Sequence, residues 1–338
     1  MLGDTLTVDV LRGDRVESQH RVMAVIADAT GVVRQAWGDA DAMVFARSAI
    51  KPIQALPLIE TGAADRFGLG AQHLALACSS HMGEPAHAAL VEEWLARVGL
   101  DVAALECGTH DPMAVEAAYD LVRAGVAPRT SHNNCSGKHT GFVTTAVHCG
   151  EPVAGYIAHA HPVQQRVLAA LSDMSGLDYR AAPYGIDGCG IPTVAAPLAS
   201  LATALARLDD PVGQPPARVG AARRIVEAMA AEPFFVSGTH GTATRTMQAA
   251  GAKTVVKTGA EGVYVASLRG RGLGIAVKTV DGTERGATLS ILQLLDALGA
   301  IDPAAATALG DLMQPTLRNR AGTTVGALRL ATDIEIRF

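Results

Sequence analysis

Ser48 and Lys51 stand three residues apart in Ser48-Ala49-Ile50-Lys51. On a helix those two positions share a face, so the lysine amine can reach the serine hydroxyl. The chemistry this pair could do is acyl transfer. A serine alone is a poor nucleophile and needs a base. An amine serves as that base only when burial or a nearby positive charge lowers its pKa from about 10.4. Taken alone, the same spacing describes a helix-capping serine with a solvated lysine one turn on. Two later triplets change the balance. Ser131-His132-Asn133 is an S-x-N, and Lys257-Thr258-Gly259 is a K-T-G at the start of a strand-like run.

In this order the three motifs mark the serine β-lactamase and penicillin-binding fold. There S-x-x-K opens a helix, S-x-N lies on a loop of the helical part, and K-T-G lies on a strand beside the nucleophile. The contexts predicted here match, and they favour an acyl-transfer hydrolase.

SHNNCSGKHTG, residues 131–141, is a polar knot in an otherwise Ala-, Val- and Leu-rich chain. Cys135 and Lys138 are i and i+3, and Cys189 stands in GIDGCGIP close to Asp187. Zinc favours thiolates and imidazoles, so Cys135 and Cys189 with His132, His139 or His110 form one candidate set. The spacing is no C-x-x-C, and two buried, inert thiols are the plain alternative. CSSHMGEP, residues 78–85, offers Ser80 and Glu84 as pocket residues. Their plain alternative is a helix N-terminus with a capping serine and a helping glutamate.

These residues need elements to hold them. Residues 5–37 alternate apolar and polar in short runs and predict two or three antiparallel strands. Helical patterns follow at 48–61, with Pro57 expected to kink it, and at 71–77, 84–98, 112–125, 138–149, 161–175, 192–208 and 217–231. Residues 254–282 predict two strands with a turn near Arg269–Gly272, and 286–299 a helix. FFVSGTHGTATRTM, 234–247, begins with an apolar, strand-like run and receives no site residue. The expected fold is α+β: one antiparallel sheet built from the N-terminal strands near 5–37 and the late strands near 254–282, with a helical subdomain over roughly 48–231. Residues 1–338 read as a single catalytic unit, and 208–220 as the best candidate for an internal border.

The 338 residues are 49% hydrophobic, enough for a large core, and the net charge of −5 gives no basic patch for nucleic acid. The longest uncharged run, 188–206, is broken by Pro192 and Pro197, so no membrane span is expected. The start lacks a signal-like apolar stretch. With five cysteines in no paired pattern, the reading is a cytoplasmic protein with free thiols.

Six segments together resemble the bacterial L-asparaginase family typified by the inducible Rhizobium enzyme. They are ARSAIKPIQALPLIETGAADRFGL (46–69), LACSSHMGEPAH (76–87), SHNNCSGKHTG (131–141), HPVQQRV (161–167), YGIDGCGIPT (184–193) and KTGAEGVY (257–264). The resemblance implies a β-lactamase/glutaminase-like fold, a homodimer, and hydrolysis of L-asparagine to L-aspartate and ammonia. It implies two Ser–Lys tandems, Ser48 with Lys51 and Ser80 with Lys257. It also implies one zinc per chain on Cys135, Lys138 and Cys189, aiding the site without generating the nucleophile. His139 remains the ordinary-chemistry rival to Lys138, because a lysine ligates only as the neutral amine.

On this reading Ser48 attacks the side-chain amide and Lys51 takes its proton, while Ser80 and Lys257 serve the proton network. Asp187 faces the substrate amine; His139, with Arg47, faces its carboxylate; Glu84 lines the pocket. Two rivals stay open. One is a zinc-hydroxide amidohydrolase whose serines only bind. The other is a non-catalytic sensor on the same fold.

Overall fold

Short alternating runs at the N-terminus and β-branched runs near the C-terminus make one antiparallel sheet. The structure, a computed structural model, describes residues 4–180 and 182–338. Its strands are β1 (Leu6–Arg12), β2 (Arg15–Asp28), β3 (Val33–Trp37), β4 (Met43–Phe45), β5 (Tyr184–Ile186), β6 (Pro192–Pro197), β7 (Thr254–Gly259), β8 (Val263–Leu268), β9 (Leu273–Thr279), β10 (Thr316–Arg318) and β11 (Thr324–Leu330). Contacts divide the chain into two compact units. One holds the chain up to Ala49, Ala195–Val212 and Arg245–Phe338; the other holds Ile50–Val194 and Gly213–Thr244.

The first unit is the sheet, ordered β10-β11-β1-β2-β9-β8-β7, with β3 also on β2. The long β2 makes this possible. Its first half pairs with β1, its second half with β3, and Val22–Asp28 pairs antiparallel with Thr279–Leu273 of β9. N-terminal and late strands thus share one sheet, as their patterns predict. Every residue of β8 is buried, so both of its faces are covered. Helices Leu198–Asp209 and Glu284–Ala297 pack on β8 and β9. Val25, Ile26, Val265, Ile275 and Val277 are wholly removed from water there. Burial of such side chains is worth about 1.5–3 kcal/mol each.

The second unit is helical. Its central element is helix Ser136–Cys149, buried at every residue from Ser136 to Ala146. Helices Ala71–Ala77 and Pro85–Arg97 pack on it. Gly137 explains how close the first of these comes, because a Cβ there would stand 2.3 Å from the Leu76 carbonyl oxygen. No helix among the described residues is long and apolar enough to cross a membrane.

Four local expectations are corrected. The run 192–208 is not one helix: β6 takes Pro192–Pro197, with alternating burial, and the helix starts at Leu198. Two prolines bar those positions from a helix interior. The apolar run in 234–247 is helical, Pro233–Ser237, because Pro233 suits a first turn; a second helix spans Thr242–Ala250. The run 254–282 holds three strands, since Glu261 and Gly262 turn the chain at φ 59° and 66°. A glutamate at positive φ leaves no sequence signal. Residues 316–330, unassigned by pattern, extend the sheet as β10 and β11.

Candidate active site

In the helical unit the polar knot converges on one buried amine. Pro52 sits in the first turn of helix Lys51–Gln54, and Lys51 opens that helix, wholly buried. Its Nζ donates to the Ser79 carbonyl at 2.5 Å, the Ser80 hydroxyl at 3.1 Å and the Cys135 sulfur at 3.2 Å. Burial lowers its pKa; Cys135 opposes this and the charge of Lys138 adds to it. A buried lysine with such neighbours is closer to a neutral base than a solvated one.

Cys135, Lys138 and Cys189 meet beside it. Lys138 Nζ lies 3.0 Å from Cys189 Sγ, and the two sulfurs share a hydrogen bond. That bond, helped by Lys138 and Lys51 and opposed by burial, holds the Cys135 thiol well below the ordinary range. The same bond, then burial, pushes Cys189 up. Burial works against the Lys138 ammonium, but Cys135, Cys189 and Asp187 outweigh it and hold the amine charged. Two sulfurs and an amine facing one another are a donor set that suits zinc, provided the ion drives off the amine proton. No group of three His, Cys, Asp or Glu side chains gathers about one point among the described residues. Burial, then the nearby Cys135, pushes the Cys107 thiol up to about 12, so it stays protonated.

His139 is also wholly buried, its Nδ1 2.6 Å from the Tyr156 hydroxyl. Burial, then Lys138 and Lys51, holds the imidazole well below its ordinary value. It is neutral at pH 7 and offers a hydrogen bond rather than a charge. Asp187 is half-buried in the turn before Cys189, where its N–H donates to the Ile191 carbonyl at 2.9 Å. The other histidines of the metal question are engaged in turns: His110 accepts the N–H of Asn134, and His132 that of Arg129.

S-x-N has structural work here. Ser131 donates to Glu92 at 2.7 Å, and Asn133 donates to the Cys107 and Gly108 carbonyls while accepting the N–H of Cys135 at 2.8 Å. These bonds fix the start of the helix that carries Lys138. Ser80 lies half-buried between helices Ala71–Ala77 and Pro85–Arg97. Glu84 occupies the N-cap position of the second helix without capping it; its carboxylate accepts from Thr239 instead.

The sheet unit holds Arg47, Ser48 and Lys257. Ser48 lies half-buried in a 3-10 turn, Arg47–Ile50, and Arg47 takes φ 49°. Outside glycine that backbone costs on the order of 1 kcal/mol and recurs at functional sites. Lys257 is wholly buried on β7, its Nζ 2.8 Å from the Thr258 carbonyl. A Cβ on Gly259 would stand 2.8 Å from the Ala46 carbonyl oxygen and 3.2 Å from Ala49 N. Lys257 and Gly259 share a face of the strand. The K-T-G face therefore packs on the turn that carries Ser48.

The helical unit thus brings Lys51, Ser80, Cys135, Lys138 and Cys189 together, and the sheet unit sets the Lys257 strand on the Ser48 turn. Sequence reading passed over His81, whose Nε2 meets the Ser136 hydroxyl at 2.8 Å, and over Tyr156 and Thr239. His81 stood in the quoted CSSHMGEP; Tyr156 and Thr239 carry no local signal.

A search of the curated proteins finds no match. Among solved structures the chain is similar to one described as Mglu, at 16% identity and TM-score 0.44, covering 83% of this chain and 67% of that one. A second Mglu structure, solved in 4.3 M NaCl, is 18% identical with TM-score 0.43, covering 82% of this chain and 61% of that one. The chain thus spans about two thirds or less of these proteins. It is also similar to a beta-lactamase from Mycobacterium bovis, at 15% identity and TM-score 0.39, covering 86% of this chain and 95% of that one. Likenesses this slight add nothing to the site. The family model of L-asparaginase II matches residues 8–330, sheet and helical units alike, and the chain belongs to that family of amidohydrolases.

Proposed function

We propose that the protein hydrolyses L-asparagine to L-aspartate and ammonia through a serine acyl-enzyme, with Lys51 as the base. One observation carries the choice of base: a wholly buried amine, its pKa lowered by that burial, is hydrogen-bonded to the Ser80 hydroxyl. A solvated lysine keeps its proton at neutral pH and cannot act as a base; a desolvated one can.

Ser48 attacks the side-chain amide carbon, forming the C–O bond, and its proton passes to Lys51. The tetrahedral intermediate collapses, the C–N bond breaks, and the lysine proton leaves with ammonia. Water then cleaves the acyl ester, releasing aspartate and restoring the serine. The S-x-x-K spacing supports Ser48 as nucleophile. Ser80, already bonded to Lys51, completes the proton network with Lys257. That same bond favours a second reading, in which Ser80 itself is acylated. Asp187 faces the substrate amine and Arg47 its carboxylate, with His139 giving a neutral hydrogen bond.

Cys135, Lys138 and Cys189 would hold one zinc per chain. When bound, the ion supplies a fixed positive charge beside the pocket. A homodimer in the cytoplasm belongs to the same proposal, on the strength of the family likeness and the free cysteines.

The test is intact-mass analysis of acid-quenched enzyme after mixing with L-asparagine. An adduct on Ser48, absent from Ser48→Ala, supports the proposal; an adduct on Ser80 moves the nucleophile there. Ammonia release with no adduct, lost on chelation, points to zinc hydroxide instead.

A further inference from the structure

Ser80 lies in Cys78–Glu84, a stretch with neither helix nor strand. Something must hold its hydroxyl beside Lys51. At Ser80 itself, the backbone N–H donates to the Val236 carbonyl at 3.0 Å. At the end of the stretch, Glu84 Oε1 accepts the N–H of Thr239 at 2.8 Å, and Oε2 accepts the Thr239 hydroxyl at 2.5 Å. Gly238 stands between these ties at φ 77°. A Cβ there would lie 2.5 Å from Glu84 Oε1 and 2.7 Å from Met82 Cγ. Both the left-handed backbone and the missing side chain are needed for the approach.

His87 reinforces the same junction. Its ring stacks between His81 and Phe234, with centroids 4.9 and 4.5 Å away, and its Nε2 meets the Phe234 carbonyl at 3.0 Å. The segment Phe234–Thr239 is thus tied at several points to the stretch that carries Ser80.

We propose that Thr239 is a positioning residue for the reaction, gripping Glu84 at both oxygens so that Ser80 stays in reach of Lys51. This rests on the reading of Ser80 given above. A two-point grip on a carboxylate fixes its orientation as well as its place. A misplacement of about 1 Å at a reacting group can cost on the order of 100-fold in rate. Glu84 then acts within the protein, and its acceptors face Thr239 rather than a ligand.

The experiment compares wild type, Thr239→Val, Thr239→Ser and Ser80→Ala. It measures kcat and KM for ammonia release from L-asparagine, and amide hydrogen exchange over 78–84. Thr239→Val is expected to lower kcat about tenfold with KM within about twofold, and to speed exchange over 78–84 but not over 71–77. Thr239→Ser, which keeps the hydroxyl, is expected to restore both. Unchanged exchange in Thr239→Val overturns the proposal and leaves the reading of Ser80 standing. A raised KM at constant kcat also overturns it, because Glu84 would then be binding substrate. Faster exchange with a fully active Ser80→Ala overturns it differently: the clamp holds a loop that the reaction does not use.

Discussion

The Lys51 amine lies 3.1 Å from the Ser80 hydroxyl and 3.2 Å from the Cys135 sulfur, so one buried amine touches both a serine hydroxyl and a cysteine thiol. The family resemblance pairs Ser80 with Lys257. Within the helical unit Ser80 is bonded to Lys51, and within the sheet unit the Lys257 face of β7 packs on the Ser48 turn.

Replacing Lys51 by methionine removes the base and keeps its volume. Ammonia release should fall by about 10³-fold or more. Melting temperature should fall as well, because the buried Ser79 carbonyl and Cys135 sulfur lose their donor. Lys51→Arg should not rescue, since a guanidinium stays protonated. Parallel calorimetry and rate assays check both halves.

Gly137 and Gly259 separate stability from activity. Gly137→Ala sets a methyl 2.3 Å from the Leu76 carbonyl oxygen, which no rotamer relieves, so stability should fall by about 3 kcal/mol. Gly259→Ala meets the Ala46 carbonyl oxygen at 2.8 Å and should displace the Ser48 turn. Its kcat should drop about tenfold or more, for a smaller loss of stability. Urea unfolding and steady-state kinetics on both variants distinguish them.

His81 and His87 predict acid sensitivity. Burial leads in lowering both folded-state pKa values below the ordinary 6.5. The unfolded chain therefore takes protons near pH 6.5 that the folded chain refuses. Stability is full above about 6.5 and falls as pH drops below it, by at most about 1.4 kcal/mol per pH unit for each histidine. Urea midpoints from pH 7.5 to 5 should show this slope, and His87→Gln should flatten it by about one proton.

The thiol pair predicts metal content. Wild type purified without chelator should carry about one zinc per chain, and Cys189→Ala well under a tenth of that. Elemental analysis decides. Equal zinc in both proteins would remove Cys189 from the ligand set.

The N-terminal strands were legible from apolar–polar alternation and the late ones from β-branched runs between Gly turns; the turn at Glu261–Gly262 and the strands within 316–330 were not. Helices such as Pro85–Arg97 and Pro162–Ser175 were legible from apolar period and N-terminal proline. Pro192–Pro197 misled because its apolar run continues into a true helix, and periodicity does not separate the two. The site was legible where motifs are local, as in S-x-x-K and C-S-G-K. The Lys51–Ser80 bond was not, because 29 residues separate the partners. The Glu84–Thr239 clamp spans 155 residues and leaves no local pattern.

The most direct test is ammonia release from L-asparagine by wild type and Ser48→Ala, each with and without a chelator. The account predicts release by wild type, largely kept after chelation, and lost in Ser48→Ala under both conditions. Release that survives in Ser48→Ala but vanishes on chelation would contradict it and make the metal, not the serine, the source of the nucleophile.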